Sequence, residues 1–196
     1  LFIDSGPVVQ VKDTTGRVSL EFDKDKGVSY DGPLVVLVDG NSASASEIFA
    51  GAIQDYNRGI VVGEPTFGKG TVQNLIDLNR FDQSMKGKLG ELKTTIAQFF
   101  RVNGESTQHR GVIPDIVFQL SATGEERGER SLENALPWQQ VASTRYRPFN
   151  ESDLSAALSN VRSLHQTRIA DHPGFEFLLS NQTLDDEIAA IEKVSL

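Results

Sequence analysis

Two short apolar runs flanking a helical stripe constrain this chain more than any other feature. Leu34-Val35-Val36-Leu37-Val38 is a continuous apolar run of strand length, the pattern of a strand buried on both faces of a parallel sheet. Ala45, Ile48, Phe49, Ala52, Ile53 and Tyr56 then fall on one face at helical spacing. Asn57-Arg58-Gly59 ends the stripe, with Gly59 as the expected C-cap glycine. Ile60-Val61-Val62 reads as a second buried strand. Strand, helix and strand in this order form a βαβ crossover. The predicted fold class is therefore α/β, a mixed sheet built around that crossover.

The flanking sequence adds more β structure. Val9 and Val11, then Val18, Leu20 and Phe22, alternate with polar residues on either side of an Asp13-Thr14-Thr15-Gly16 turn. Residues 71–78 and 94–102 read as further strands, and Ile116-Val117-Phe118 as a short one. Residues 121–134 are rich in charge and glycine and are expected to link two parts, a core over 1–120 and a helical C-terminal appendage over 135–196. In that appendage Leu154, Ala157, Leu158, Val161 and Leu164 make one stripe after a Ser152/Asp153 cap, broken by Pro173-Gly174. Leu184, Ile188 and Ile191 make another after Thr183.

Composition removes several function classes. With 38% apolar and 23% charged residues in 196, the chain is not disordered as a whole. It has no cysteine, which excludes disulfides, a thiol nucleophile and a thiolate metal site. A net charge of −8 argues against nucleic acid as a partner. No apolar run approaches the roughly 20 residues of a membrane-spanning helix, and no His/Asp/Glu cluster points to a metal. No cofactor is expected. The chain opens on Leu1 rather than Met, without a targeting pattern, and reads as an excerpt of something longer.

Two segments carry the chemistry. Asn41-Ser42-Ala43-Ser44-Ala45-Ser46-Glu47 lies where a buried strand opens into a helix, the end of an α/β sheet at which sites form. Small residues there let backbone N–H groups approach a ligand, and the helix N-terminus favours a developing oxyanion. A serine in this loop can be a nucleophile or simply a helix cap. The second segment is Gly63-Glu64-Pro65-Thr66-Phe67-Gly68-Lys69-Gly70-Thr71-Val72-Gln73. It nearly matches a phosphate-binding loop, but Gly70 stands where a Mg²⁺-binding hydroxyl is required and a strand-like stretch follows in place of a helix. The other reading makes Lys69 a general base. His109, His165 and His172 read as surface residues, and Lys69 can replace histidine as base if its amine is neutral; the other reading of Lys69 is an exposed loop lysine. At the ordinary lysine pKa near 10.4 only about 0.04% of the amine is neutral at pH 7, and burial that lowered it to about 7–8 would raise that to roughly 10–50%.

Ser42-Ala43-Ser44-Ala45-Ser46-Glu47, the Gly63–Gln73 segment and Gly111-Val112-Ile113-Pro114-Asp115 together resemble the carboxyl-terminal processing proteases, serine peptidases with a Ser/Lys dyad. The stretch after the linker, with Asn134-Ala135-Leu136-Pro137-Trp138, resembles the long-tailed bacterial branch, the tail-specific proteases. The resemblance implies Ser44 as nucleophile, Lys69 as general base 25 positions later, Gln73 as the residue orienting the lysine, and the backbone N–H of Ala45 as an oxyanion donor. Strand alternation would put residues 69 and 73 on one face. Ser42 and Ser46 fall to capping and packing. Asp55, eleven residues past Ser44 along a helix and so about 16 Å away, reads as structural. The family also implies a second oxyanion donor, a PDZ domain and a signal peptide upstream of Leu1, so the isolated chain is expected to have little activity. Further implications are protein substrates with unstructured C-termini, a lipoprotein adaptor, peripheral membrane association of the parent and a periplasmic location. The rival expectations are a nucleotide-binding protein using residues 63–71 and a non-catalytic peptide-binding module.

Overall fold

The computed structural model describes residues 2–82, 84, 87–118, 128–149, 154–178 and 180. Two sheets make up the α/β core. One is antiparallel: β1 (Gly6–Asp13), β2 (Val18–Asp23), β5 (Thr71–Asp77) and β6 (Glu91–Phe100) lie in the order β2-β1-β6-β5. The other is parallel, with β3 (Val35–Val38), β4 (Ile60–Gly63) and β7 (Ile116–Val117) in the order β3-β4-β7. Both pairing modes expected of a mixed sheet are present, but each has its own sheet. Helix α1 (Ala45–Asp55) crosses from β3 to β4, and α2 (Leu154–Asp171) follows in the C-terminal region.

The β1–β2 hairpin closes as its turn residues dictate. Asp13 Oδ1 accepts hydrogen bonds from the Thr15 and Arg17 backbone N–H groups at 2.8 and 3.0 Å, an Asx arrangement that stands in for a backbone turn. The crossover also forms as its apolar pattern requires. Val38, Ala50, Ile53, Val61 and Val112 are buried together, with Phe2, Leu34 and Val36 packed against them. A second cluster, Ile3, Tyr56 and Val102, lies at the helix C-terminus with Val8, Tyr146 and Phe149 against it.

Two expectations need correction. β3 is not buried on both faces: Val36 and Val38 pack toward α1, whereas Val35 is 57% and Leu37 77% exposed. The physical reason is that β3 is the edge strand of a three-stranded sheet and α1 covers only one of its faces. Second, the helix does not end on Gly59. Asn57, at φ 50°, is the left-handed residue after the Tyr56 C-cap. Arg58 N–H donates to Ile53 O at 2.9 Å and Asn57 N–H to Gln54 O at 3.0 Å, both bonds of a Schellman motif. Asparagine tolerates that backbone next best after glycine. The Leu154 stripe forms a helix, α2, as expected; before it, residues 128–149 run over the core as a strap that opens with a 3-10 turn at Glu129–Ser131. The expected linker residues 121–127, the Ser152/Asp153 cap and the Leu184–Ile191 stripe lie outside the described residues. Among the described residues no helix is long and apolar enough to cross a membrane.

Candidate functional site

The site is built where β3 gives way to α1. Asp39 ends the strand with a turn: its Oδ1 accepts from Asn41 N, Ser42 N and Ser42 Oγ at 3.0, 2.9 and 3.0 Å. The Ser42 hydroxyl bond, followed by backbone donors, holds the Asp39 carboxyl below the usual carboxylate range. Ser42 therefore closes the turn, and its carbonyl accepts from Phe67 N–H at 2.9 Å, joining the two motif segments.

Ser44 is the N-cap of α1, at φ 57° and ψ −111°. A residue with a Cβ held there carries strain on the order of 1–3 kcal/mol, and such strain persists only where the surroundings over-determine it. Its carbonyl accepts from Glu47 N–H and Ile48 N–H, both at 3.0 Å, starting the helix. The next N–H, that of Ala45, is an exposed first-turn donor with no hydrogen-bond acceptor among the described residues. A serine beside a free donor at a positive helix end is the local arrangement an acyl-transfer oxyanion needs.

Glu47, which the sequence reading left without a role, organises the rest. It has no solvent exposure. Its Oε2 accepts from Ser44 N–H at 2.7 Å and Lys69 N–H at 2.9 Å. Oε1 accepts from Thr66 Oγ1 at 2.6 Å and Gly68 N–H at 2.7 Å. Burial pushes its pKa up, while these hydrogen bonds, Thr66 foremost, oppose the rise. One carboxylate oxygen thus holds both the Ser44 and the Lys69 backbones. The signal was present in the sequence as Ser44-x-x-Glu47, the spacing of a capping box, in which the fourth residue reaches back to the N-cap N–H.

The Lys69 loop runs between β4 and β5. Gly70 has to be glycine because a Cβ there would lie 2.7 Å from Gln108 N. The loop leads into strand β5, not a helix, so its glycines serve close backbone packing and the phosphate-loop reading loses its structural basis. Lys69 is half-buried, and its Nζ donates to Thr71 O at 2.7 Å; no hydrogen bond joins it to Ser44. Gln73 is exposed on β5. Alternation does not relate it to Lys69, because β5 begins at Thr71 and its register shifts between Val72 and Gln73.

Asp55 faces the opposite end of α1. It makes a two-pronged ion pair with Arg101, 2.7 Å from Oδ1 to Nη2 and 3.1 Å from Oδ2 to Nε. His165 and His172 pack in ring contact with Phe175, and His109 is exposed. Among the described residues no group of three or more His, Asp or Glu side chains is placed to hold a metal ion.

Residues 1–118 match the model of peptidase family S41, and residues 123–196 match that of the C-terminal domain of tail specific protease. The tail-specific protease of Haemophilus influenzae is 44% identical over 185 residues, 94% of this chain and 26% of that protein. The carboxy-terminal-processing protease of Bartonella bacilliformis is 38% identical over 119 residues, 60% of this chain and 26% of that protein. Among solved structures, the photosystem II D1 C-terminal processing protease aligns with a TM-score of 0.51 and 33% identity, over 60% of this chain and 28% of that one. The chain spans about a quarter of the length of these relatives. On the match over residues 1–118, the chain belongs to peptidase family S41.

Proposed function

We propose that this chain is the dyad-bearing part of a serine peptidase that trims or degrades proteins from accessible, unstructured C-terminal tails. The observation that carries the reading is the sharing of Glu47 Oε2 between the backbone N–H groups of Ser44 and Lys69, which brings the two motif segments to one place. Ser44 Oγ attacks the scissile carbonyl carbon while the neutral Lys69 amine takes the hydroxyl proton. The Ala45 N–H donates to the resulting oxyanion. Collapse of the tetrahedral intermediate breaks the C–N bond, and the lysine returns the proton to the leaving amine. Water then hydrolyses the Ser44 ester by the same proton path. No hydrogen bond joins Lys69 Nζ, which donates to Thr71 O, to Ser44, so this step requires the lysine to turn its lone pair toward the hydroxyl. In this reading Gln73 contacts the amine once it has turned. For the parent, an envelope location and a lipoprotein adaptor are part of the same proposal and rest on the family resemblance alone.

The test uses the full-length enzyme and a disordered-tail peptide. Ser44→Ala and Lys69→Ala should each abolish cleavage, and a serine-directed phosphonate should label Ser44 in the wild type. Cleavage that survives both substitutions would refute the dyad.

A further inference from the structure

The strap over residues 128–149 is hydrogen-bonded to the core along its length, at Val102, Gly104, Ser106, Gln10 and Tyr56, and its first joint is with the loop that carries Lys69. Two hydrogen bonds meet that loop on either side of the lysine. Two residues before it, Phe67 O accepts from Glu129 N–H at 2.8 Å. One residue after it, Gly70 N–H donates to Gln108 Oε1 at 2.8 Å.

Gln108 is fully buried, and its amide is a relay between loop and strap. Its Nε2 donates to Glu129 Oε1 at 3.1 Å and to Leu136 O at 3.2 Å. The amide therefore uses its oxygen toward the lysine loop and both its hydrogens toward the strap, a division only a neutral group with donor and acceptor ends can make. The backbone of Gln108 is fixed by the same elements. Its N–H donates to Ser106 Oγ at 3.0 Å. Ser106 is in turn held by the strap, with its N–H on Gln139 O at 3.1 Å and its carbonyl on Trp138 Nε1 at 2.9 Å. Close fit is enforced at Gly128 too. It sits at φ 93°, and a Cβ there would come within 2.4 Å of Phe67 O.

Of the strap's joints, the one made through Glu129 and Gln108 is set apart by bearing on the backbone on both sides of one lysine. We propose that the strap is a positioning element for Lys69, acting through Gln108 and Glu129. The C-terminal region thereby sets the geometry of the proton-transfer step. The inference rests on the reading of Lys69 as the general base. Gln108 and Glu129 are positioning residues and touch neither substrate nor reacting atoms.

The test is steady-state cleavage of a disordered-tail peptide by the full-length enzyme, with thermal unfolding measured on each variant. Gln108→Glu keeps the acceptor for Gly70 but turns a carboxylate toward Glu129 and Leu136 O. It should lower kcat at least tenfold with KM within twofold. Adding Glu129→Gln returns a donor to the pair and should recover several-fold of the lost kcat. Glu129→Ala, at a half-exposed position, unpairs one Gln108 N–H and should lower kcat several-fold with the unfolding midpoint still well above the assay temperature. It decides the matter if Gln108→Glu fails to fold. If Lys69→Ala abolishes cleavage while Glu129→Ala stays within twofold of wild type, the strap inference is overturned and the dyad stands. A rise in KM with kcat unchanged in these variants overturns it equally. If Lys69→Ala retains wild-type kcat, the base assignment itself has failed and the inference fails with it.

Discussion

At Glu47, four donors converge on two oxygens, so every acceptor site of the carboxylate that matters is occupied. Glu47→Gln keeps the shape but replaces one oxygen with an N–H₂ group that must face two donors. Neutralising the side chain relieves the burial that raises its pKa, so the effects on stability oppose one another. The effects on geometry do not oppose, because either Ser44 and Lys69 or Thr66 and Gly68 lose their shared acceptor. The expected outcome is a fall in kcat of about tenfold or more, with an unfolding midpoint that moves little. Parallel kinetics and calorimetry on the variant check this; kcat within twofold of wild type would show that the clasp is not what sets the Ser44–Lys69 geometry. Acid should act in the same direction. A carboxyl with a raised pKa protonates at a pH above the usual range near 4.5, and its proton then displaces one of the four donors.

Single elements carry measurable signatures of their own, and α1 has two at its C-terminus. Tyr56 is 2% exposed and its hydroxyl donates to Pro7 O at 2.8 Å. Burial, with the neighbouring Tyr146 and Asp55 adding to it, lifts the phenol from 10.0 to about 12. The native state then keeps a proton that the unfolded chain gives up, so stability falls as pH rises through that interval, by about 2–3 kcal/mol in all. Denaturation followed by the fluorescence of Trp138, the chain's single tryptophan, should show this loss. In Tyr56→Phe the loss should shrink but not vanish, since burial raises Tyr146 as well. At neutral pH the same variant should lose about 1 kcal/mol from the unpaired Pro7 carbonyl. At the left-handed position, Asn57→Gly should stabilise by about 0.5–1 kcal/mol and Asn57→Ala should destabilise by a similar amount, read in the same assay. A result of opposite sign would mean that the Schellman closure does not govern this helix end. These elements also mark how far pattern reading reaches. The hairpin, the crossover and α1 were legible because their periodicity is local. The exposed face of β3 was not, because a run of apolar residues cannot say how many layers will cover it. Asn57 was passed over for Gly59, whose own reason is packing: a Cβ there would lie 2.6 Å from Leu34 O. The strap was invisible because its hydrogen bonds go to distant backbone, which leaves no period. In the site, the Ser44 and Lys69 segments were readable as motifs and Glu47 showed its capping-box spacing to Ser44, whereas its bonds to Thr66, Gly68 and Lys69 depend on a three-dimensional meeting of two loops.

At the scale of the whole molecule, the ion pair of Asp55 with Arg101 joins the parallel layer to the antiparallel one. Asp55 leaves α1 and Arg101 follows β6, with their side chains only 5% and 14% exposed. Gln10 of β1 reinforces the joint by donating to Arg101 O at 3.0 Å and to Ala142 O of the strap at 3.1 Å. Removing one partner of a buried pair leaves the other charge uncompensated, at a cost of about 3–5 kcal/mol. Asp55→Ala should therefore lose cleavage activity, as a catalytic residue would, but for a different reason. The two explanations separate in a double variant. Asp55→Leu with Arg101→Met replaces the pair by apolar side chains of comparable bulk, an exchange that is often near neutral for stability. If Asp55 only joins the layers, folding, phosphonate labelling of Ser44 and peptide cleavage should return together. Recovery of the unfolding midpoint without recovery of cleavage would instead place Asp55 in the chemistry, despite its position at the far end of α1.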